Sequence, residues 1–325
     1  MKIGVIGGGA WGTALAQVAA QGGETMLWSR EPEVAESIAS ARENKLFLPG
    51  VPLSNRIVPT TDLADLASCD AWLAVTPAQH MRRVLQAAPP CPGALILCSK
   101  GIEEATGQLL HQVAREACPD TSVMVLSGPT FAHEVAAGLP TALTLAAEVE
   151  AEAEVVRSRI ARPAFRIYLS DDVAGAEVGG AVKNVLAIAC GVVEGRGLGQ
   201  NARAALIARG FAEMTRFGLA RGARAETLAG LSGLGDLVLT CSSTSSRNFS
   251  LGKGLGQGRP AAELLADRRT VAEGAFTAPV LRRLAEEEGI EMPIVAAVDD
   301  LLAGRADVDA VLERLLSRPL RPERA

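Results

Sequence analysis

The first half of the chain alternates short apolar runs with longer segments whose apolar residues recur at helical spacing. Predicted strands cover residues 2–6, 24–28, 56–58, 71–75, 94–98, 122–126, 141–146 and 165–169. Predicted helices lie between them, near residues 10–22, 32–42, 77–87, 105–116 and 149–160. Strands that are apolar throughout and separated by helices are typical of a parallel sheet covered on both faces. The pattern therefore predicts a doubly wound α/β domain.

The strand pattern stops after about residue 171, and the remaining segments have helical spacing. Residues 173–194 are apolar on almost every side and are interrupted by Lys183 and Asn184, which is typical of a buried helix. Residues 241–258 are rich in Ser and Gly and are predicted as an ordered loop. Further helices are predicted near residues 201–219, 273–288, 293–303 and 307–316. We predict two domains, residues 1–172 and an all-helical domain of residues 173–325.

Size and charge restrict the classes of function. A chain of 325 residues is long enough for two domains, each with its own core. Its formal net charge of −5 argues against nucleic acid or an anionic membrane surface as the main partner. No uninterrupted apolar run approaches the roughly 20 residues of a membrane-spanning helix, so we predict no transmembrane segment.

Cysteines and histidines indicate neither a zinc site nor a disulfide scaffold. The six cysteines include no Cys-x-x-Cys pair, which argues against zinc ribbons and thioredoxin-like sites. A chain of this length does not depend on disulfides, so we expect reduced thiols and a cytoplasmic protein. The three histidines, at positions 80, 111 and 133, lack ligand spacing, and we predict no metal site.

A glycine-rich turn follows the first predicted strand. Residues 7–12, Gly-Gly-Gly-Ala-Trp-Gly, fit the pattern G-x-G-x-x-G and open a predicted helix, which is the context of a dinucleotide-binding site. Gly7 permits the tight turn, Gly9 lets the backbone approach a pyrophosphate, and Gly12 lets the helix pack on the strand. The N–H groups at the start of the helix then bind the phosphates. This predicts a Rossmann-like domain.

The end of the second predicted strand bears on the choice between NAD and NADP. An acidic residue there would bind the ribose 2′-hydroxyl of NAD, but the sequence has Ser29 and Arg30 at that point. Arg30 can bind a 2′-phosphate, so we expect NADP to be accepted. Because Glu31 follows directly, NAD stays open as the alternative.

Lys183 is the most informative single residue. The chain has 27 Arg and only five Lys, so a lysine is a better candidate for a role in which a proton is exchanged. Burial of an ammonium group is costly without a partner and lowers its pKa, which suits a general acid or base near neutral pH. The alternative is a lysine whose amine reaches the surface. The neighbouring Gly179 and Gly180 would let a ligand approach the helix, and this favours function.

Several segments together resemble one family, the bacterial-type NAD(P)-dependent glycerol-3-phosphate dehydrogenases. The resemblance spans roughly residues 2–316. It rests on GGGAWGTALA at 7–16, SKG at 99–101, SGPTFA at 127–132, GGAVKN at 179–184, NARAALI at 201–207, LSGLGDLVLTC at 231–241, SRN at 246–248 and VAEG at 271–274. The family reduces dihydroxyacetone phosphate reversibly to sn-glycerol 3-phosphate, which feeds phospholipid synthesis. The resemblance also implies a homodimer.

The resemblance assigns a role to each matching position. It implies catalysis by Lys183, as proton donor and acceptor, together with Lys100 and Asp236. The implied substrate contacts are Lys100, Gly128, Thr130, Lys183, Asp236, Ser246, Arg247 and Asn248. The implied cofactor contacts, added to Gly7, Gly9 and Gly12 of the glycine turn, are Ala10, Trp11, Arg30, Lys100, Ala132, Arg247, Val271 and Glu273. The planar guanidinium of Arg247 suits a substrate phosphate on chemical grounds as well.

Two other functions stay open. A β-hydroxyacid or 6-phosphogluconate-type dehydrogenase combines a similar two-domain plan with a lysine on a helix. A non-catalytic dinucleotide sensor would need the glycine turn but not the combination of Lys183, Asp236 and Arg247. The Gly-Leu-Gly-Asp and Ser-Arg-Asn segments favour the glycerol phosphate enzyme.

Overall fold

The computed structural model describes residues 1–266 and 272–319 of the chain. These residues form two units, and neither unit is one continuous stretch of sequence. The first contains residues 1–100 and 108–177, and the second contains residues 101–107 and those from 178 onwards.

The first unit is built on one sheet of eight strands. The strands are β1 (Ile3–Ile6), β2 (Thr25–Trp28), β3 (Ile57–Thr60), β4 (Ala71–Ala74), β5 (Ala94–Leu97), β6 (Ser122–Ser127), β7 (Thr141–Ala146) and β8 (Phe165–Ser170). Their order is β3-β2-β1-β4-β5-β6-β7-β8. All neighbours are parallel except β6 and β7. A strand occurs in each of the predicted segments, and the Rossmann-like α/β fold is confirmed.

Helices cover both faces of this sheet. They are α1 (Ala10–Ala20), α2 (Pro32–Ala41), α3 (Met81–Ala87), α4 (Leu110–Ala117), α5 (Ala132–Ala136) and α6 (Glu150–Ile160), with 3-10 helices at Leu63–Ser68 and Ala78–His80. Successive side chains of a strand point to opposite faces. Trp72 of β4 accordingly belongs to a core cluster with Met81, whereas Leu73 belongs to a cluster with Leu15.

The antiparallel pairing of β6 with β7 departs from the uniformly parallel sheet that the pattern predicted. The connecting residues 128–140 contain one helix of five residues, α5. A parallel crossover normally contains a helix that spans the sheet, and five residues are too few for one. The connection therefore returns the chain in the opposite direction, and α6 then restores a parallel step from β7 to β8.

Cys91 and Cys118 correct the expectation of reduced thiols throughout the chain. They form a disulfide with their Cα atoms 6.1 Å apart. Cys118 ends α4 and Cys91 precedes β5, so the chain that enters β5 runs beside the end of that helix. The other four cysteines are unpaired and buried.

The regular secondary structure of the second unit is helical from residue 178 onwards, within the described residues. Its helices are α8 (Gly199–Ala220), α9 (Ala225–Leu228), α10 (Asp236–Thr240), α11 (Arg247–Gly256), α12 (Ala261–Leu264), α13 (Glu273–Glu287), α14 (Pro293–Leu302) and α15 (Val308–Leu316), with a π-helical turn at Leu231–Gly235. Helix α7 (Val173–Gly195) starts in the first unit and ends in the second. The prediction of an all-helical second region is confirmed.

Helix α7 is long and apolar enough to cross a membrane by length and composition. In its most apolar 18-residue window, however, 94% of the residues are buried inside the structure, as in the core helix of a soluble protein. No other helix among residues 1–266 and 272–319 meets the same criteria. Its burial agrees with the buried helix that the sequence predicted at residues 173–194.

Helix α11 corrects the prediction of a loop over residues 241–258. It begins after Ser246, whose hydroxyl oxygen accepts a hydrogen bond of 3.2 Å from the backbone N–H of Phe249. Glycines in the helix lower its intrinsic propensity but allow its backbone to contact that of α7. A Cβ at Gly252 would overlap the carbonyl oxygen of Ile188, and a Cβ at Gly191 would overlap that of Phe249.

We expect Gly252→Ala to destabilise the protein by about 1–3 kcal/mol, because the added methyl group has no space and forces α11 away from α7. The midpoint of thermal unfolding should fall by several degrees. Gly93→Ala is the control, because a Cβ at Gly93 meets nothing within 4 Å. Equal midpoints for the two variants would contradict the close packing of α7 and α11.

Glu213 of α8 gives the fold a dependence on pH. Its side chain is 1% exposed and accepts backbone N–H bonds from Ile294 (2.7 Å) and Val295 (3.2 Å) at the start of α14. Burial raises the pKa of Glu213 to about 7, and the two N–H donors oppose the shift without cancelling it. Between the unfolded pKa of 4.5 and about 7, the native state therefore binds this proton more tightly than the unfolded state.

The free energy of unfolding should consequently decrease as the pH rises from about 4.5 through 7. Glu213→Gln cannot titrate and should flatten the dependence over this range. Urea denaturation at several pH values measures it, with Glu291→Gln as an exposed control. An unchanged pH profile in the Glu213 variant would assign the dependence to another group.

Candidate active site

The glycine turn joins β1 to α1 with the geometry of a dinucleotide-binding loop. Gly7 has a φ of +126°, which favours glycine, and its N–H donates to the carbonyl oxygen of Trp28 at 3.0 Å. A Cβ at Gly12 would overlap the carbonyl oxygen of Gly7, so only glycine lets α1 start this close to β1. A Cβ at Gly9 would meet nothing within 4 Å, so the turn is open on that side.

The residues of this turn fit a bound dinucleotide. Gly9 is the N-cap of α1 and offers no side-chain cap, so the first N–H groups of the helix are available to a phosphate. Trp11, in the first turn, has a buried indole N–H without a hydrogen-bond partner among the described residues. A buried donor of this kind is normally satisfied, so this N–H is available to a ligand. Ala10 begins the helix beside it.

Arg30 follows the end of β2 and is mainly solvent-exposed. Its guanidinium makes two hydrogen bonds to the carboxylate of Glu31, at 2.7 and 3.0 Å, and the hydroxyl of Ser29 donates to the same carboxylate at 3.3 Å. The two residues on which the choice of cofactor depends are thus paired with each other. A 2′-phosphate must compete with Glu31 for Arg30.

Three other predicted residues lie together after β5 and β6. The Lys100 ammonium donates to the carbonyl oxygen of Gly128 at 3.0 Å, and the Thr130 hydroxyl donates to the same oxygen at 3.3 Å. Gly128 has a φ of +158°, and a Cβ there would approach Leu143 to 2.8 Å. Ala132 begins α5. Ligands of open α/β sheets bind at the carboxyl ends of the strands, where these residues lie.

Lys183 forms a buried polar cluster in the second unit. Its ammonium donates to the carboxylate of Asp236 at 2.5 Å and to the hydroxyl of Thr240 at 2.8 Å. Lys183 and Asp236 are 6% and 0% exposed. The carboxylate supplies the compensating charge that a buried ammonium requires. Sequence reasoning missed Thr240, although its position four residues after Asp236 on a helix puts both on one face.

A chain of amide hydrogen bonds continues from the residue after Lys183. The side-chain N–H of Asn248 donates to the side-chain oxygen of Asn184 at 3.0 Å, and the Asn248 oxygen accepts from the backbone N–H of Gly274 at 2.9 Å. These two hydrogen bonds of Asn248 connect α11 with α7 and with the start of α13. Sequence reasoning did not select Asn184, and it gave Asn248 a substrate contact without foreseeing these protein partners.

Arg247 and Glu273 begin α11 and α13, respectively. The Arg247 side chain is solvent-exposed and has no hydrogen bond to any described residue. Desolvation by surrounding protein atoms lowers the pKa of Arg247, and the charge of Glu273 opposes the shift. A guanidinium with free donors at the N-terminus of a ten-residue helix is suited to an anion. Val271, predicted as a cofactor contact, lies outside the described residues.

Among residues 1–266 and 272–319, no group of three or more His, Cys, Asp or Glu side chains is arranged to hold a metal ion. The described residues offer other candidate chemistry in a turn with free backbone N–H groups, two lysines, one buried carboxylate and exposed arginines.

Comparisons with known proteins agree with this chemistry over the length of the chain. Residues 2–153 match the family model for the N-terminus of NAD-dependent glycerol-3-phosphate dehydrogenase, and residues 172–313 match the model for its C-terminus. The chain is 64% identical to a glycerol-3-phosphate dehydrogenase [NAD(P)+] of Erythrobacter litoralis, over 99% of this chain and 98% of that protein. It is 63% identical to one of Novosphingobium aromaticivorans, with the same coverage. The crystal structure of glycerol-3-phosphate dehydrogenase from Coxiella burnetii superposes with a TM-score of 0.92 at 36% identity, covering 98% of this chain and 99% of that one.

Proposed function

The chain belongs to the NAD-dependent glycerol-3-phosphate dehydrogenase family and is an NAD(P)-dependent oxidoreductase, and from this we propose that Lys183 exchanges the proton in the reversible reduction of dihydroxyacetone phosphate to sn-glycerol 3-phosphate. The observation that carries the proposal is the buried cluster of Lys183, Asp236 and Thr240. A protein that only senses dinucleotides does not need a buried ammonium group, whose desolvation is energetically costly.

The glycine turn is the proposed binding site for the cofactor pyrophosphate. Gly7, Gly9 and Gly12 shape the turn. The backbone N–H groups of Ala10 and Trp11, in the first turn of α1, bind the negatively charged phosphates. When bound, the nicotinamide of the cofactor supplies the hydride for reduction or takes it up in oxidation. The chain's own residues bind this group and exchange the proton.

Lys183 donates a proton to the oxygen of the substrate carbonyl as that oxygen gains negative charge, and it accepts the proton in the reverse direction. Asp236 and Thr240 accept hydrogen bonds from the ammonium and restrict its orientation. The loss of the proton leaves a neutral amine beside the Asp236 carboxylate, and this charge favours reprotonation from solvent. We propose that Lys100 contacts both cofactor and substrate, as the family resemblance implies.

Arg247 is the proposed anchor of the substrate phosphate. Its donors, which bond to none of the described residues, and its position at the start of α11 support this role, because both favour a phosphate group. Ser246 and Asn248 flank it. We propose them as further substrate contacts. The same proposal includes substrate contacts of Gly128 and Thr130. It also includes cofactor contacts of Ala132, Glu273 and Val271.

Both NADP and NAD are proposed as cofactors. Arg30 supports NADP, because a guanidinium can bind a 2′-phosphate. The ion pair of Arg30 with Glu31 weakens this preference, since Glu31 competes with the phosphate and can itself accept hydrogen bonds from ribose hydroxyls.

The cellular setting completes the proposal. The product carries two hydroxyl groups beside its phosphate, so acyl transfer to those hydroxyls is the class of reaction that consumes it in glycerophospholipid synthesis. We propose a cytoplasmic enzyme that supplies this synthesis. The resemblance to the family is what supports a homodimer.

The proposed reaction is tested by following the absorbance of NADPH when dihydroxyacetone phosphate is added to the purified protein. NADH is compared next, and 3-oxo acids serve as alternative substrates. Oxidation of the cofactor with dihydroxyacetone phosphate is expected. Turnover of a 3-oxo acid instead would favour a β-hydroxyacid dehydrogenase, and cofactor binding without any turnover would favour a sensor.

Lys183→Ala should lower kcat by about 10²–10⁴-fold, because general acid catalysis is lost. The Kd of NADPH, measured by fluorescence titration, should change less than about twofold. Lys253→Ala removes a lysine from the same unit and should retain normal turnover. A kcat near that of the parent in the Lys183 variant would remove this residue from the mechanism.

Arg247→Ala should lower kcat/KM for dihydroxyacetone phosphate by about 10²-fold or more, because charge-assisted hydrogen bonds to the phosphate are lost. The effect on unphosphorylated dihydroxyacetone should be far smaller, and Arg247→Lys should recover part of the loss. Arg259→Ala, at a surface ion pair, controls for the change of charge. The Kd of NADPH is measured in each variant. Equal slowing of both substrates at unchanged cofactor affinity would contradict the anchor.

A further inference from the structure

Asn44 lies next to the glycine turn, although it is 36 residues away from Gly8 in sequence. It belongs to the segment between α2 and β3 and is 0% exposed. Its side-chain N–H groups donate to the carbonyl oxygen of Gly8 and to the hydroxyl oxygen of Thr13, both at 2.8 Å. Its side-chain oxygen accepts the backbone N–H of Phe47 at 3.1 Å. Both the N–H groups and the oxygen of the Asn44 side-chain amide are therefore hydrogen-bonded.

The hydrogen bonds to Gly8 fix the orientation of one peptide group. The carbonyl oxygen of Gly8 accepts from Asn44 and, at 3.4 Å, from the hydroxyl of Thr13. A trans peptide group is planar, and its N–H points opposite to its carbonyl oxygen. With the Gly8 carbonyl held toward the protein interior, the N–H of Gly9 must point the other way.

The Gly9 N–H therefore points toward the open side of the glycine turn. A Cβ at Gly9 would meet nothing within 4 Å, and the N–H of Gly9 has no hydrogen bond to the described residues. The proposed pyrophosphate site requires such a donor. If the peptide group rotated, it would present a carbonyl oxygen to the phosphates instead, and this oxygen would repel them.

The turn itself does little to prevent that rotation. Three successive glycines have wide conformational freedom, so the backbone alone does not select one orientation of the peptide group. Ser29 packs against Gly8, where a Cβ would approach the Ser29 Cβ to 2.6 Å. Ser29 donates no hydrogen bond to the Gly8 carbonyl oxygen, however, so it does not fix the orientation of the peptide group. The selecting interaction comes from Asn44 and Thr13.

We propose that Asn44 is a positioning residue of the cofactor site, which holds the Gly8–Gly9 peptide group so that the Gly9 N–H is directed toward the pyrophosphate. Asn44 acts through the backbone and does not contact the cofactor. The inference rests on the proposed function, since it assumes that the turn binds NAD(P).

The test compares Asn44→Leu, which keeps the size of the side chain but removes its hydrogen bonds, with Gln17→Leu. Gln17 holds the same segment through Ser54 (2.8 Å) and Pro52 (3.3 Å) but has no bond to the turn. The Kd values of NADPH, of ADP-ribose, which carries the pyrophosphate, and of adenosine, which lacks it, are measured for both variants and the parent.

Asn44→Leu should raise the Kd of NADPH and of ADP-ribose roughly tenfold, as expected for the loss of two buried hydrogen bonds. The Kd of adenosine, and kcat at saturating substrates, should change less than about threefold. Gln17→Leu should change all of these values less than threefold, even where its melting temperature falls. Thr13→Val removes the second donor to Gly8 and should raise the Kd of ADP-ribose severalfold, so it tests the inference if Asn44→Leu does not fold.

The inference is overturned if Asn44→Leu weakens adenosine as much as ADP-ribose, because the defect is then a general loosening of the segment. It is also overturned if the two leucine variants bind ADP-ribose equally, or if Thr13→Val binds it like the parent when Asn44→Leu does not fold. Failure of the parent protein to bind NADPH would instead reject the proposed function.

Discussion

Helix α7 lies against two neighbouring segments backbone to backbone, and the surroundings of Lys183 depend on this close approach. At Gly179 the helix contacts the turn that leads directly into Asp236. At Gly191 it contacts α11, whose first turn carries Asn248. A Cβ at Gly179 would lie 2.4 Å from the carbonyl oxygen of Ser232, and one at Gly191 would lie 2.1 Å from that of Phe249, so a larger side chain at either glycine would move these segments apart by roughly 1 Å. Hydrogen bonds of 2.5–3.0 Å do not survive such a displacement.

The buried charge of Lys183 explains why its surroundings are so fully specified. Without Asp236 the buried Lys183 ammonium would have no counter-charge, so Asp236 stabilises the native state independently of any part in the reaction. Thr240 then restricts the rotation of the amine, because both acceptors come from one helix face. The same arrangement stabilises the native state and holds the amine in one orientation, as the proposed proton exchange requires.

The sequence predicted the elements whose signals are local. The strands could be predicted because buried parallel strands are apolar throughout. The glycine turn could be predicted because one local bend of the backbone, between β1 and α1, sets the spacing of its glycines. Helix α11 was predicted as a loop, because Gly252 and its neighbouring glycines lower helix propensity and their compensating contact with α7 is distant in sequence. The disulfide of Cys91 with Cys118 and the hydrogen bond of Asn44 to Gly8 could not be predicted for the same reason, since no residue near one partner in sequence indicates the other. The roles of the substrate and cofactor contacts stay predictions.

The division of the chain into interleaved units limits how the protein can be taken apart. Residues 101–107 belong to the second unit, although the residues on both sides of them belong to the first. Within the second unit, Gly107 leaves no space for a Cβ beside Leu284, so this segment depends on residues almost at the other end of the chain. A gene fragment that ends at the predicted boundary after residue 172 would encode the nucleotide-binding sheet together with a short segment whose partners are missing. Neither half of a gene divided at that boundary therefore encodes one complete unit.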